Sequence, residues 1–181
     1  MAARFRERLA AAPAKTSPFA LGRPSAVLAA LFEQDGEARV WLVRKSEHLR
    51  SHGGQVALPG GKPDPSDATL LDTALREAHE EIGLGPAEVD VLGALDPYST
   101  ITGYLVTPYV AWVPGGFRPV ADASEVARVF HAPLALFASP PQPRQVKVMS
   151  VRASMPSHLV DGEIVWGATL AILTQLAKKV G

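Results

Sequence analysis

The two residues Asp35-Gly36 constrain the fold most. They separate an apolar run of strand length, Ala26 to Phe32, from a second one, Val40 to Val43. Asp-Gly accepts the positive φ angles of a two-residue hairpin turn, so the flanking runs predict a β-hairpin. The next segment, KSEHLRSHG over 45–53, is polar and basic and reads as an exposed loop. Residues 55–58 read as a short strand, stopped by Pro59-Gly60-Gly61. The polar stretch KPDPSDAT then leads into a helix over about 68–82. Asp67 or Ser66 can cap its start, and Gly83 stands where a helix C-terminus takes glycine.

Strands follow over about 89–95 and 104–113, with the polar turn DPYSTITG between them. Residues 125–131 are expected to be extended and 133–137 to form a short helix. SPPQPRQ reads as a proline-rich loop, 146–152 as a strand and 164–180 as a terminal helix. An amphipathic helix over 2–12 and a loop with Pro18 and Pro24 precede all of this. The organisation is therefore an N-terminal helix and loop (1–24) followed by one domain (25–181). Antiparallel strands with a central and a terminal helix predict an α/β (α+β) chain, a mixed β-sheet between helices rather than a doubly wound parallel fold.

Composition excludes several classes of function. The 181 residues suit one globular domain. With no cysteine, disulfide scaffolds, thiolate zinc sites and cysteine nucleophiles are ruled out. Eighteen Lys and Arg balance eighteen Asp and Glu, so no global charge attracts nucleic acid or an anionic membrane. No apolar run reaches the roughly 18 residues of a membrane span, and the start lacks a signal-peptide core. A cytoplasmic location, with no nucleic-acid or membrane partner, is the expectation.

The informative segment is Arg76-Glu77-Ala78-His79-Glu80-Glu81-Ile82-Gly83-Leu84. On a helix, Leu71, Leu75, Ala78 and Ile82 share one stripe, which is expected to pack. Glu77, Glu80 and Glu81 stand at i, i+3 and i+4, so their side chains can converge. Like charges at that spacing repel, and acids in a last helical turn oppose the helix dipole, each costing about 0.3–1 kcal/mol. An exposed helix face rich in Glu is one explanation, because Glu is a good helix former. A bound divalent cation is the other, and an oxygen-only ligand set points to Mg2+ or Mn2+. The Gly60-Gly61 loop and the basic residues Arg44, Lys45 and Arg50 favour the second, since together with the acids they describe a polyphosphate site.

These residues also carry a family resemblance. GKPDPSDATLLDTALREAHEEIGL, from Gly61 to Leu84, resembles the Nudix box, G-x5-E-x7-R-E-U-x-E-E-x-G-U, with U a bulky aliphatic. The second half matches apart from the small Ala78. In the first half Asp67 replaces Glu, and eight residues rather than seven separate it from Arg76. Upstream, WLVRKSEHLRSHGGQVALPGG resembles the additional motif of the coenzyme A pyrophosphatase branch, L-L-T-x-R-[SA]-x3-R-x3-G-x3-F-P-G-G. Ser46, Arg50, Gly54, Pro59, Gly60 and Gly61 align; Lys45 stands for Arg and Leu58 for Phe. IVWGAT, from Ile164 to Thr169, is similar to the branch's I-x-W-G-x-T.

The resemblance implies a Nudix-type α/β/α sandwich and metal-dependent hydrolysis of coenzyme A or acyl-coenzyme A to 3′,5′-ADP and 4′-phosphopantetheine. It implies Glu77 and Glu81 as principal metal ligands, Glu80 as third ligand or general base, and the Gly61 carbonyl as a further ligand. Arg76 would orient the acids, and Arg44, Lys45 and Arg50 would contact phosphates beside Gly60 and Gly61. Glu125 is a candidate extra acid, as base or ligand, or an ordinary exposed residue. Tyr98, Ser99, Thr100 and Thr102 either line the pocket or form a plain turn, and Trp166 either stacks on a base or packs. ADP-ribose, NADH or a modified nucleoside triphosphate are the alternative substrates, and a non-catalytic nucleotide-binding module is the rival class. A homodimer is the resemblance's expectation for assembly.

Overall fold

The computed structural model describes residues 1–12, 14–15, 22–49, 53–148 and 151–181. Ala2–Ala11 is helix α1. Strands β1 (Arg23–Gln34) and β2 (Glu37–Lys45) form the expected hairpin, with Asp35 at φ 54° and Gly36 at φ 77°. Their register runs from Gln34 opposite Glu37 to Leu31 opposite Val40. Beyond that the strands part, and a short segment is wedged between them. Its β3 (Val56–Ala57) pairs with Val43 and Arg44 of β2, and its β4 (Gly60–Gly61) pairs with Ala26 and Val27 of β1. The glycines therefore sit inside the sheet, between two long strands.

After β4 come helix α2 (Leu70–Ile82), β5 (Asp90–Ala94), β6 (Tyr98–Ser99), β7 (Tyr104–Trp112) and β8 (Val126–Pro133). β7 lies parallel to β1, while β5 and β6 line the far side of β7 and β8 pairs with β2, all antiparallel. One parallel pair among antiparallel ones makes the sheet mixed. Alternation along β1 sends Ala26, Leu28 and Ala30 to one face and Ala29 and Leu31 to the other. The first face is covered by Ala74, Ala78 and Ile82 of α2. The second is covered by Phe5 and Leu9 of α1 and by Leu173 and Leu176 of α3 (Gly167–Val180). The result is an α/β/α sandwich in which α1 shares the main core. Among the described residues, no helix is long and apolar enough to cross a membrane.

Three expectations are corrected. Residues 142–145 of the proline-rich loop belong to a second, three-stranded sheet of β9 (Gln142–Val148), β10 (Val151–Val160) and β11 (Glu163–Trp166), and the strand expected over 146–152 is the end of β9 and the start of β10. Proline argues against strands because it lacks an N–H, but Pro143 faces Pro156 in the register, so both occupy one rung of the ladder. The terminal helix starts at Gly167 rather than 164, since Glu163–Trp166 pairs with β10. Helix α2 is capped by Thr69, not by Asp67 or Ser66. The Asp72 N–H donates to Thr69 Oγ1 (3.2 Å) and the Thr69 N–H to Asp72 Oδ2 (2.8 Å). Gly83 takes φ 72° as expected and ends the helix.

Candidate active site

The buried face of α2 carries Thr73, Ala74, Ala78, Glu81 and Ile82. The expected Leu71–Leu75 stripe is only half-buried. The helix has turned its alanines to the sheet, where Ala74 and Ala78 share a core cluster with Ala26, Ala30 and Ala111. Small residues on both sides let helix and sheet approach closely. This explains Ala78, where the Nudix pattern has a bulky aliphatic, and it carries Glu81 inward.

Glu81 is 1% exposed and meets Lys45, itself 12% exposed, with Lys45 Nζ donating to Glu81 Oε1 at 2.5 Å. Lys45 is thus the last residue of β2, facing α2, and not part of an exposed loop. Arg44, its neighbour on the strand, engages Glu47 (2.5 Å) and Glu163 (3.5 Å), and neither contact involves the acids of α2. Arg50 lies outside the described residues. Glu81 Oε2 is buried without a hydrogen-bond partner. Burial pushes the Glu81 carboxyl up to about 7, against the opposing pull of Lys45.

Glu77 lies against the backbone of Gly61, where an added Cβ would come within 2.5 Å of the Glu77 carboxyl carbon. Gly60 is needed for a different reason, because a Cβ there would stand 2.6 Å from Val27 Cα in the adjoining strand. Burial also raises the Glu77 carboxyl, with Arg76 opposing.

Arg76 organises the surroundings. Its guanidinium donates to both oxygens of Asp67 (3.0 Å each), to Glu80 Oε2 (2.8 Å), to Glu77 Oε1 (3.1 Å) and to the Lys62 carbonyl (3.0 Å). Asp67 also accepts from the Asp64 N–H (2.8 Å) and Thr73 Oγ1 (2.9 Å). The Arg76 hydrogen bonds hold the Asp67 carboxyl well below its usual range. Asp67 is therefore a loop clamp. It is neither the helix cap nor a mere departure from the box, and its spacing from Arg76 is the signal in the sequence.

Glu80 is 55% exposed. Glu125 is brought near by its backbone, as its carbonyl accepts from the Ser46 N–H (2.8 Å), while its side chain is exposed. The loop before it is sewn to the helix end by Val120 N–H to Ile82 O (3.0 Å) and Asp122 N–H to Glu81 O (3.1 Å). Thr169 ties α3 to the same region by donating to the Val56 carbonyl (3.1 Å). Trp166 is half-buried at the end of β11.

The acids do not converge as expected. Among the described residues, no three acid or histidine side chains are drawn together as a cation cage. Arg76 takes up Glu77 and Glu80, and Lys45 takes up Glu81. The donor set nevertheless suits a divalent cation: it offers oxygen only, includes the unpartnered Glu81 Oε2, and adjoins the bare Gly61 backbone. Two clefts of about 400 and 430 Å³ lie around residues 113–118 and share no lining residue with the acids.

Residues 22–150 match the NUDIX domain. The chain belongs to the Nudix family. A Yersinia enterocolitica protein described as an uncharacterized Nudix hydrolase, NudL, is 40% identical over 146 residues, 80% of this chain and 75% of that protein. An Enterobacter protein of the same description is 37% identical over 161 residues, 88% of this chain and 83% of that one. The crystal structure of a Nudix hydrolase from Alicyclobacillus acidocaldarius superposes with a TM-score of 0.61 at 18% identity, covering 88% of this chain and 93% of the other, and shows the shared fold. This Nudix chain is a hydrolase acting on pyrophosphate bonds, of a family that generally requires divalent metal ions.

The Glu81 environment fixes the sign of a pH effect. Without metal, the folded chain keeps a proton on Glu81 between its ordinary value of 4.5 and about 7, where the unfolded chain has lost it. That contribution to stability is present below 4.5 and lost as pH rises through 7. A cation binds the ionised form, so added magnesium is expected to raise the melting temperature more at pH 8 than at pH 5.5. Thermal melts with magnesium and with chelator at each pH measure it.

Proposed function

We propose that this Nudix hydrolase cleaves the diphosphate of coenzyme A or acyl-coenzyme A, releasing 3′,5′-ADP and 4′-phosphopantetheine or its acyl form. The observation that carries this reading is where the coenzyme A-type motif lies. Two of its described residues stand against the acids, Lys45 on Glu81 and Gly61 on Glu77. Its Gly54, at φ 72°, closes the intervening loop by donating to the Lys45 carbonyl (3.0 Å).

Glu77 and Glu81, with Glu80 and the Gly61 carbonyl beside them, are the residues that would hold Mg2+ or Mn2+. When bound, such an ion supplies charge neutralisation and Lewis-acid polarisation at the diphosphate. Arg76 and Asp67 hold the acids and the 61–67 loop in register, so little reorganisation accompanies binding. Lys45 and Arg50 are assigned to phosphate oxygens. Water attacks phosphorus, the bond to the leaving phosphate oxygen breaks, and the water proton passes to the Glu80 oxygen that Arg76 does not engage. Glu125 stays in the assignment as a further acid at the Ser46 corner.

A substrate panel tests the reading. Coenzyme A, acetyl-coenzyme A, ADP-ribose, NADH and a modified nucleoside triphosphate are incubated with magnesium or with chelator, and products are identified. The expected result is 3′,5′-ADP from the first two, at a kcat/KM about tenfold or more above the others, and no cleavage with chelator. Preference for ADP-ribose, NADH or the triphosphate would overturn the assignment of substrate.

A further inference from the structure

Arg23 and Lys62 sit beside the same aromatic ring. The Arg23 guanidinium lies 4.2 Å from the centroid of Tyr104 and the Lys62 ammonium 5.6 Å from it. Both cations are exposed, and among the described residues neither forms an ion pair. Arg23 donates to a neutral acceptor, the Thr102 carbonyl (3.2 Å), which leaves its charge uncompensated. Two exposed cations beside one ring raise the local positive potential, which a bound anion would neutralise.

The placement links this pair to the active site. Arg23 and Tyr104 are the first residues of β1 and β7 and stand opposite each other in the register. Gly61 is the last residue of β4, so all three mark one rim of the sheet. Gly61 turns toward Glu77. Lys62, the next residue, reaches the ring of Tyr104, which packs with the core on the opposite face. The Lys62 carbonyl is held by Arg76, the residue that also orients Glu77 and Glu80. A ligand with its diphosphate at the acids can therefore cross the rim and meet both cations.

We propose that Arg23 and Lys62, with Tyr104 as their platform, form a subsite for a phosphate monoester on the nucleoside part of the substrate, separate from the diphosphate that is cleaved. The proposal rests on the reading of a substrate with a bisphosphorylated nucleoside, and it makes these cations specificity-determining residues. The subsite discriminates by charge, since a substrate without the monoester leaves two cations unpaired.

The test is a binding comparison with the full chain and magnesium present. Affinities for adenosine 3′,5′-bisphosphate and adenosine 5′-monophosphate are measured by calorimetry for the wild type, Arg23→Ala, Lys62→Ala, the double variant and Lys62→Arg. The wild type is expected to prefer the bisphosphate by about tenfold or more, as charge-assisted hydrogen bonds to a phosphate would give. Each alanine variant reduces that ratio, the double variant brings it near one, and Lys62→Arg keeps most of it. A wild type without preference, or a preference that survives the double substitution in a chain with an unchanged melting temperature, overturns the subsite. If the preference behaves as expected but no coenzyme A is cleaved, the substrate reading fails and the subsite stands. If coenzyme A is cleaved and the ratio ignores both substitutions, the subsite alone fails.

Discussion

Replacing Glu81 by Gln is expected to lower kcat/KM about a thousandfold or more, because a metal-held transition state is worth several kcal/mol. Gln keeps the size of the side chain and removes the charge. The fold should persist, since Ala74, Ala78 and Ile82 still fix the helix to the sheet. Lys45, at 12% exposure, loses its counter-charge, which costs some stability, so the melt is recorded beside the kinetics. A cooperative melt within a few degrees of the wild type, together with the lost activity, would separate chemistry from stability. Wild-type turnover in this variant would show that Glu81 holds nothing needed for the reaction.

Asp67→Ala is expected to cost about 2–4 kcal/mol of stability and about 10- to 100-fold in activity. The carboxylate is 4% exposed and receives hydrogen bonds from Arg76, Thr73 and the Asp64 backbone. Removing it leaves those donors unpaired and frees the guanidinium that orients Glu77 and Glu80. Urea unfolding and steady-state kinetics report the two losses together. A change in activity alone would mean that Asp67 acts on substrate rather than on the loop. The geometry also accounts for the departure from the Nudix box: the acid is one methylene shorter and the loop one residue longer, and Arg76 is still met by both oxygens.

The hairpin at Asp35-Gly36, the helix bearing the acids and the glycine strip were legible because local chemistry determines them. Turn residues, 3.6-residue periodicity and a Gly C-cap act over a few positions. The pairing of Lys45 with Glu81 was not legible, since it joins residues 36 apart through the wedge of β3 and β4. Strand alternation separates Lys45 from Arg44, but the polar run that begins at Lys45 masks the end of the strand. The second sheet escaped because Pro143 and Pro156 argue singly for a loop, and only their pairing makes a strand tolerable. The spread of the three acids followed from Arg76 and Lys45, whose competition for them no helical wheel displays.

Manganese binding, read by electron paramagnetic resonance at pH 8, tests the central claim most directly. With chelated protein as the start, the wild type is expected to bind Mn2+, and Glu77→Gln and Glu81→Gln each to weaken that binding by about 100-fold or more, as loss of a charged ligand from a small oxygen site requires. Equal affinity in the wild type and both variants would contradict the account, because the ion would then reside away from these carboxylates.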